Sequence, residues 1–325
     1  MDNLDRQVLQ QALEWHGEQR GVWLVTVVET WGSAPRPAGA LLAMRDDGLV
    51  VGSVSGGCVE DDLIERIRSG ERVDKPATIV YGVSREEAAR FGLPCGGNLR
   101  LIQEPLVDIQ WAKDVLARTG GGHEVVVRTL DIDSGESTVS AGRRGDRFSF
   151  DGKVMRSVFG PRWRVLLIGA GQLSRVFAQM ALALDFEVIC CDPREEYHLT
   201  WDVPGTTFSR EMPDDLAVSL KLDAHSAVVA VTHDPKLDDL VLLEALKSDA
   251  FYIGALGSRG NTEARKKRLA QFDLTADQIN RLHGPIGLDI GSRTPAEIAV
   301  SILAEIVAVQ NHVELRQKKP ILATA

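Results

Sequence analysis

The chain has 325 residues, 44% of them hydrophobic and 26% charged, which suits two globular domains that each bury a core. Its formal net charge of −9 argues against a nucleic-acid binder, which carries a basic face. No stretch reaches the ~20 apolar residues of a membrane span, and residues 1–18 show helical spacing instead of a signal peptide's apolar core, so a cytoplasmic location is expected.

In a cytoplasmic chain the four cysteines are expected as thiols and not as a disulfide framework. They lack C-x-x-C spacing, so a structural zinc site is not expected.

After the amphipathic first helix, Val22 to Glu29 is a β-branched run suited to a buried strand. Ala40–Arg45 and Leu49–Val54 flank the turn Asp46-Asp47-Gly48 and read as a hairpin. The second of these strands runs into the corner Ser55-Gly56-Gly57-Cys58-Val59-Glu60, followed by a helix over 61–69. A strand is expected over 78–83, and Ser84-Arg85-Glu86-Glu87 reads as a capping box. A second corner, Pro94-Cys95-Gly96-Gly97-Asn98, leads into a strand over 99–103.

Both corners place a thiol beside a glycine pair. Glycine lets the backbone turn sharply and bring its N–H groups close to a ligand, and successive N–H groups form an anion-binding concavity. Thiolates bind soft metals and attack electrophiles, and a helix N-terminus at Cys58 favours the thiolate. Gly56, Gly57, Cys58, Cys95, Gly96 and Gly97 are therefore the first candidate site, with Cys58 and Cys95 as candidate metal contacts. The bland alternative is a pair of small buried hydrophobes. Cys190 and Cys191, in an apolar strand, read as packing, and Trp23 and Trp31 as core or cleft lining.

A helix over 107–118 and strands near 125–130 and 147–157 complete the first half. The domain boundary falls at Phe159-Gly160-Pro161-Arg162, giving domains 1–158 and 159–325. Beyond it strands and helices alternate, which calls for a doubly wound parallel sheet. The fold class is α/β: a mixed α+β N-terminal domain followed by a Rossmann-like domain.

Gly169-x-Gly171-x-x-Ser174 lies between a strand and a helix, and Asp192 ends the next strand about 20 residues on, where a ribose-binding acid belongs. Serine replaces the third glycine of that fingerprint, which leaves the fold expectation stronger than the dinucleotide one. Thr232-His233-Asp234 ends a later strand; His233 is a candidate acid–base or hydrogen-bonding group, and Asp234 caps the helix that Pro235 opens. Of two further corners, Gly257-Ser258-Arg259 is assigned to the site, with Ser258 and Arg259 as candidate anion contacts. Gly291-Ser292-Arg293 is read as a surface arginine before the capping box Thr294-Pro295-Ala296-Glu297. His123, His198, His225 and His283 show no metal-ligand spacing.

Together these motifs resemble the xanthine dehydrogenase accessory protein family (XdhC/CoxI). The resemblance rests on Glu29–Arg36, Gly52–Glu60, Pro94–Gly97, Gly169–Gly171, Cys191–Arg194, Thr232–Asp234, Gly254–Arg259 and Gly284–Gly291, and covers nearly the whole chain. It implies a molybdenum cofactor chaperone that supports sulfuration of the cofactor and its insertion into an apo molybdenum hydroxylase. Cys58 and Cys95 would then contact the molybdenum end or accept sulfur, and the glycines would approach the pterin phosphate. The form of the cofactor stays open. A nucleotide or NAD(P) is the candidate ligand of the second domain, with Gly169, Gly171 and Asp192 around it. A cysteine desulfurase is a candidate second partner, and a homodimer the default assembly.

Two other readings remain at this point. One is an NAD(P)-dependent oxidoreductase using His233 and Asp192; Ser174 and the lack of a catalytic Lys, Tyr or His pair count against it. The other is a regulatory nucleotide-binding module with inert cysteines.

Overall fold

The computed structural model describes residues 3–30, 36–82, 98–120, 124–161, 163–232 and 234–313, without the side chain of Cys58. Cys95, Gly96, Gly97, His233, Trp31, His123 and the expected capping box at 84–87 lie outside the described residues. The chain divides into two compact units, Met1–Arg162 and Trp163–Ala325. Among the described residues no helix is long and apolar enough to cross a membrane.

The first unit is built on an antiparallel sheet of β1 (Val22–Thr30), β2 (Leu41–Arg45), β3 (Val50–Gly52), β4 (Ala77–Tyr81) and β5 (Leu99–Pro105), in the order β3-β2-β1-β5-β4. Successive side chains of a strand point to opposite faces. On β1, Trp23, Val25 and Val27 pack with Val59, Leu63 and Ile67 of helix α2 (Cys58–Arg68). Val22 and Leu24 pack the other way, with Val8 and Leu9 of α1 (Asn3–Gly17) and Ala112 and Val115 of α3 (Gln110–Thr119). Covered on both faces, the strand needs no polar alternation, and residues 22–28 are all buried.

A smaller antiparallel sheet follows, of β6 (Val126–Asp131), β7 (Ser137–Ala141), β8 (Ser149–Phe150) and β9 (Val154–Phe159), in the order β7-β6-β9-β8. Strand β7 has no counterpart in the sequence reading. Its Ser-Thr-Val-Ser-Ala run is polar because it is an edge strand and stays largely exposed.

The second unit contains β10 (Trp163–Ile168), β11 (Phe186–Cys191), β12 (Thr207–Ser209), β13 (Ser226–Ala230), β14 (Tyr252–Ala255) and β15 (Leu282–His283), all parallel, in the order β12-β11-β10-β13-β14-β15. Numbered within the unit this is 3-2-1-4-5-6, the Rossmann order, with its topological switch point between β10 and β13. Val165 and Leu167 of β10 face α4 (Gln172–Ala183) and α10 (Pro295–Gln310). Leu166 and Ile168 face α6 (Pro213–Ser219), α7 (Pro235–Ala245) and α8 (Arg259–Leu269). Each such buried aliphatic side chain contributes roughly 1.5–3 kcal/mol. Two short helices, α5 (Glu195–His198) and α9 (Ala276–Asn280), complete the unit. The edge strands β12 and β15 and these short helices carry too few residues to show a period.

Cys190 and Cys191 point to opposite faces and are buried in the two cores. Burial pushes both thiols up, Cys191 to about 12, as expected of packing residues.

Candidate functional site

The first corner is organised by its own acid. Glu60, on the first turn of α2 and 7% exposed, turns its carboxylate back into the loop before the helix. Oε1 accepts from the Ser53 hydroxyl (2.8 Å) and from the N–H groups of Val54 (2.8 Å), Ser55 (2.9 Å) and Gly56 (3.2 Å). Oε2 accepts from the Gly57 N–H (2.9 Å) and the Ser55 hydroxyl. The backbone reaches this arrangement with positive φ at Gly56 (87°) and Gly57 (145°), open to glycine alone at no strain. Burial pushes the Glu60 carboxyl up, but the hydrogen bonds from Ser55, Ser53 and Val54 outweigh it and hold it at about 2.

The Gly56 and Gly57 N–H groups, read in the sequence as an approach to a ligand phosphate, donate here to Glu60. The concavity forms as the glycine pair predicts, and the anion in it is the protein's own carboxylate. Cys58 is the first residue of α2.

A polar cavity of about 310 Å³ also opens in this unit, between Lys75, Trp111 and Arg128. Its base is a structural ion pair. The Arg128 guanidinium binds both oxygens of Glu104 (2.7 and 2.5 Å) and lies 3.5 Å over the Trp111 ring.

In the second unit a cavity of about 600 Å³ opens beyond the carboxyl ends of the strands, where open α/β sheets place their ligands. Gly169, Gly171 and Ser174 border it on the β10 side, Thr232 beyond β13, and Gly257, Ser258 and Asn261 beyond β14. Gly169 makes the tight turn at φ 101°, and a Cβ there would lie 3.0 Å from Thr232. At Gly171 a Cβ would meet nothing within 4 Å, so the backbone faces open space.

Two sequence assignments, Asp192 and Arg259, meet a different geometry here. Asp192 is fully buried, and both its oxygens are engaged. It accepts from the Ala170 N–H (3.0 Å) and pairs with the Arg194 guanidinium at 2.9 and 2.8 Å. It therefore ties the glycine turn to the next loop and offers no free oxygen to a ribose. Arg194 itself lines the cavity and stacks over Tyr197 at 4.0 Å. At the far side Arg293 is exposed, in keeping with its reading as a surface residue, and also lines the cavity; Arg259 is not among the residues that line it. The signal for Arg194 was its place two residues beyond the acid; for Arg293 it was its place before a capped helix.

The caps expected at two helices form: Asp234 accepts from the Lys236 N–H at the start of α7, and Thr294 exchanges bonds with Glu297 at the start of α10. Ser258, assigned in the sequence to an anion contact, caps α8 by accepting from the Asn261 N–H. Behind the cavity, Asp238 accepts from the Thr232 hydroxyl (2.7 Å) and pairs with Arg265 (3.1 Å). Arg265 also donates to the Leu256 carbonyl (3.0 Å), which locks the loops after β13 and β14 together. Among the described residues, no three His, Cys, Asp or Glu side chains cluster as a metal site.

Comparison with known proteins adds to this geometry. Residues 165–306 match the XdhC Rossmann domain, and residues 15–82 match the XdhC and CoxI family. The chain is 28% identical over 315 residues to PaoD of Escherichia coli K12, a molybdenum cofactor insertion chaperone, covering 95% of this chain and 90% of PaoD. It is 27% identical to a probable xanthine dehydrogenase subunit of Bacillus subtilis 168, over 91% of this chain and 95% of that protein. It is 28% identical to YqeB of E. coli K12, an uncharacterized protein, of which it spans only 43%. In fold it is similar to a Bacillus halodurans protein described as a xanthine dehydrogenase, with a TM-score of 0.70 at 24% identity, over 96% of this chain and 98% of that one.

Proposed function

The chain belongs to the XdhC and CoxI family, and from that premise we propose that it is a molybdenum cofactor chaperone. It holds the cofactor as cargo, supports its sulfuration and delivers it to an apo molybdenum hydroxylase of the xanthine dehydrogenase type. The observation that carries this is the similarity along nearly the full length of PaoD, whose name states that role. One feature agrees with a carrier: among the described residues the large cavity is lined by Arg194 and Arg293 and by no carboxylate side chain, which suits an anionic ligand.

Within this reading Cys58 and Cys95 contact the molybdenum end or accept sulfur in transit, with a cysteine desulfurase as the sulfur source. The chaperone acts in the cytoplasm, and a homodimer is its working assembly. The NAD(P) oxidoreductase reading is not supported: its ribose acid, Asp192, is bonded to Ala170 and Arg194. The test is to purify the chain from a molybdopterin-producing host. The protein is expected to carry pterin fluorescence after oxidation, and Cys58→Ala with Cys95→Ala to lose molybdenum. Absence of pterin contradicts the carrier, and unchanged molybdenum in the double variant removes the thiol ligands.

A further inference from the structure

The cavity of the first unit differs in charge from the large one. Asp74, Glu104 and Asp108 bring carboxylates to its lining, and Lys75 and Arg128 bring cations. Glu104 and Arg128 neutralise each other at the base. Asp74, Lys75 and Asp108 are exposed and form the rim, which therefore keeps both signs. Among the described residues the Asp74 and Lys75 side chains have no bonding partner. Asp108 spends Oδ1 on the Gln110 N–H (2.8 Å), which leaves Oδ2.

The base is rigid. Arg128 is 2% and Glu104 4% exposed. Desolvating so buried a pair costs much of what their attraction returns, and apolar side chains would hold the two sheets as well. Besides Glu104, Arg128 donates through Nε and Nη2 to the Ser137 hydroxyl (3.1 and 2.8 Å). Among the described residues this leaves one N–H, on Nη1, for a ligand. The Trp111 ring against the guanidinium fixes its plane before any ligand arrives. Pro76, Pro105 and Val107 add apolar wall between base and rim.

We propose that this cavity binds a small zwitterion, a free α-amino acid. Its carboxylate meets Lys75 and the remaining Nη1 proton of Arg128. Its ammonium meets Asp74 and Oδ2 of Asp108, and its side chain lies along the prolines and Val107. A simple cation or a simple anion would leave one sign of the rim unanswered. The volume of about 310 Å³ lies at the small end of ligand pockets, as an amino acid requires. The site stands whether or not the chain carries the cofactor.

The full-length protein is screened by saturation-transfer NMR against the free proteinogenic amino acids. The strongest ligand is then titrated calorimetrically beside its N-acetyl and methyl-ester forms, putrescine and acetate. The free amino acid is expected to bind, and each blocked form, which lacks one charge, to bind several-fold more weakly. Lys75→Met is expected to weaken the free amino acid several-fold and to leave the methyl ester unchanged. Asp74→Asn is expected to weaken it likewise and to leave the N-acetyl form unchanged. Both positions are exposed, so both variants keep the fold, which thermal unfolding checks. The proposal is overturned if no amino acid binds, if a blocked form, putrescine or acetate binds as tightly as the free amino acid, or if either variant binds it as the parent does.

Discussion

Six donors, four backbone N–H groups and two serine hydroxyls, converge on the carboxylate of Glu60. Its folded pKa of about 2 lies below the ordinary value of 4.5, so the anion is the form the fold favours. The stability it contributes is present in full above about pH 4.5 and is lost as pH falls towards 2. At ~1.4 kcal/mol per unit, the loss is about 3 kcal/mol. Denaturant unfolding between pH 6 and 2 should show this fall, and Glu60→Gln should be about 2–3 kcal/mol less stable at pH 7 with a flatter acid limb. A variant as stable as the parent would mean the corner holds its shape without the acid. The glycines of the second unit divide in the same residue-level way. Gly169→Ala places a Cβ at φ 101° and 3.0 Å from Thr232, and should cost about 1–3 kcal/mol. Gly171→Ala has an ordinary φ of −78° and open space, so its melting temperature should stay near the parent's. Thermal unfolding of the pair distinguishes a turn that needs glycine from a backbone face left open.

At the scale of elements, the cavity keeps its shape because charged groups tie its loops together. Arg265 on α8 reaches Asp238 and Asp239 on α7 and the carbonyl of Leu256 after β14. Arg265→Met leaves Asp238, fully buried, without its counter-ion. Chemical denaturation should find the variant about 3 kcal/mol less stable, and a loss within experimental error would show that the loops hold without it. Elements with a strong period are legible in the residues alone: Val165 to Ile168, Gln172 to Leu184 and the hairpin around Gly48 form where alternation and turn residues place them. Strands β7, β12 and β15 are not, because edge strands of two to five residues bury little and need no apolar signature. The glycine corner is legible as an anion-binding turn. That Glu60 fills it is not, although an acid three residues beyond Gly57 is the spacing at which a side chain reaches back to a helix start. Asp192 likewise looks available because sequence shows position along a strand and not which neighbour, here Arg194, closes over it.

The whole molecule joins two units, each with its own apolar core: a sheet covered on both faces in the first, and a Rossmann sheet in the second. An acidic chain with a cation-lined cavity matches a carrier that must retain an anionic cargo and release it to a partner. Affinity in such a carrier is useful only if it can be reversed, so handover is the property that separates it from a storage protein or a catalyst. The direct measurement is transfer: the cofactor-loaded chain is mixed with a purified apo molybdenum hydroxylase, the two are separated, and molybdenum and activity are read in each. The account predicts that molybdenum leaves this chain and that the hydroxylase gains both metal and turnover. Molybdenum that stays with the chain, with a hydroxylase that remains inactive, would contradict it.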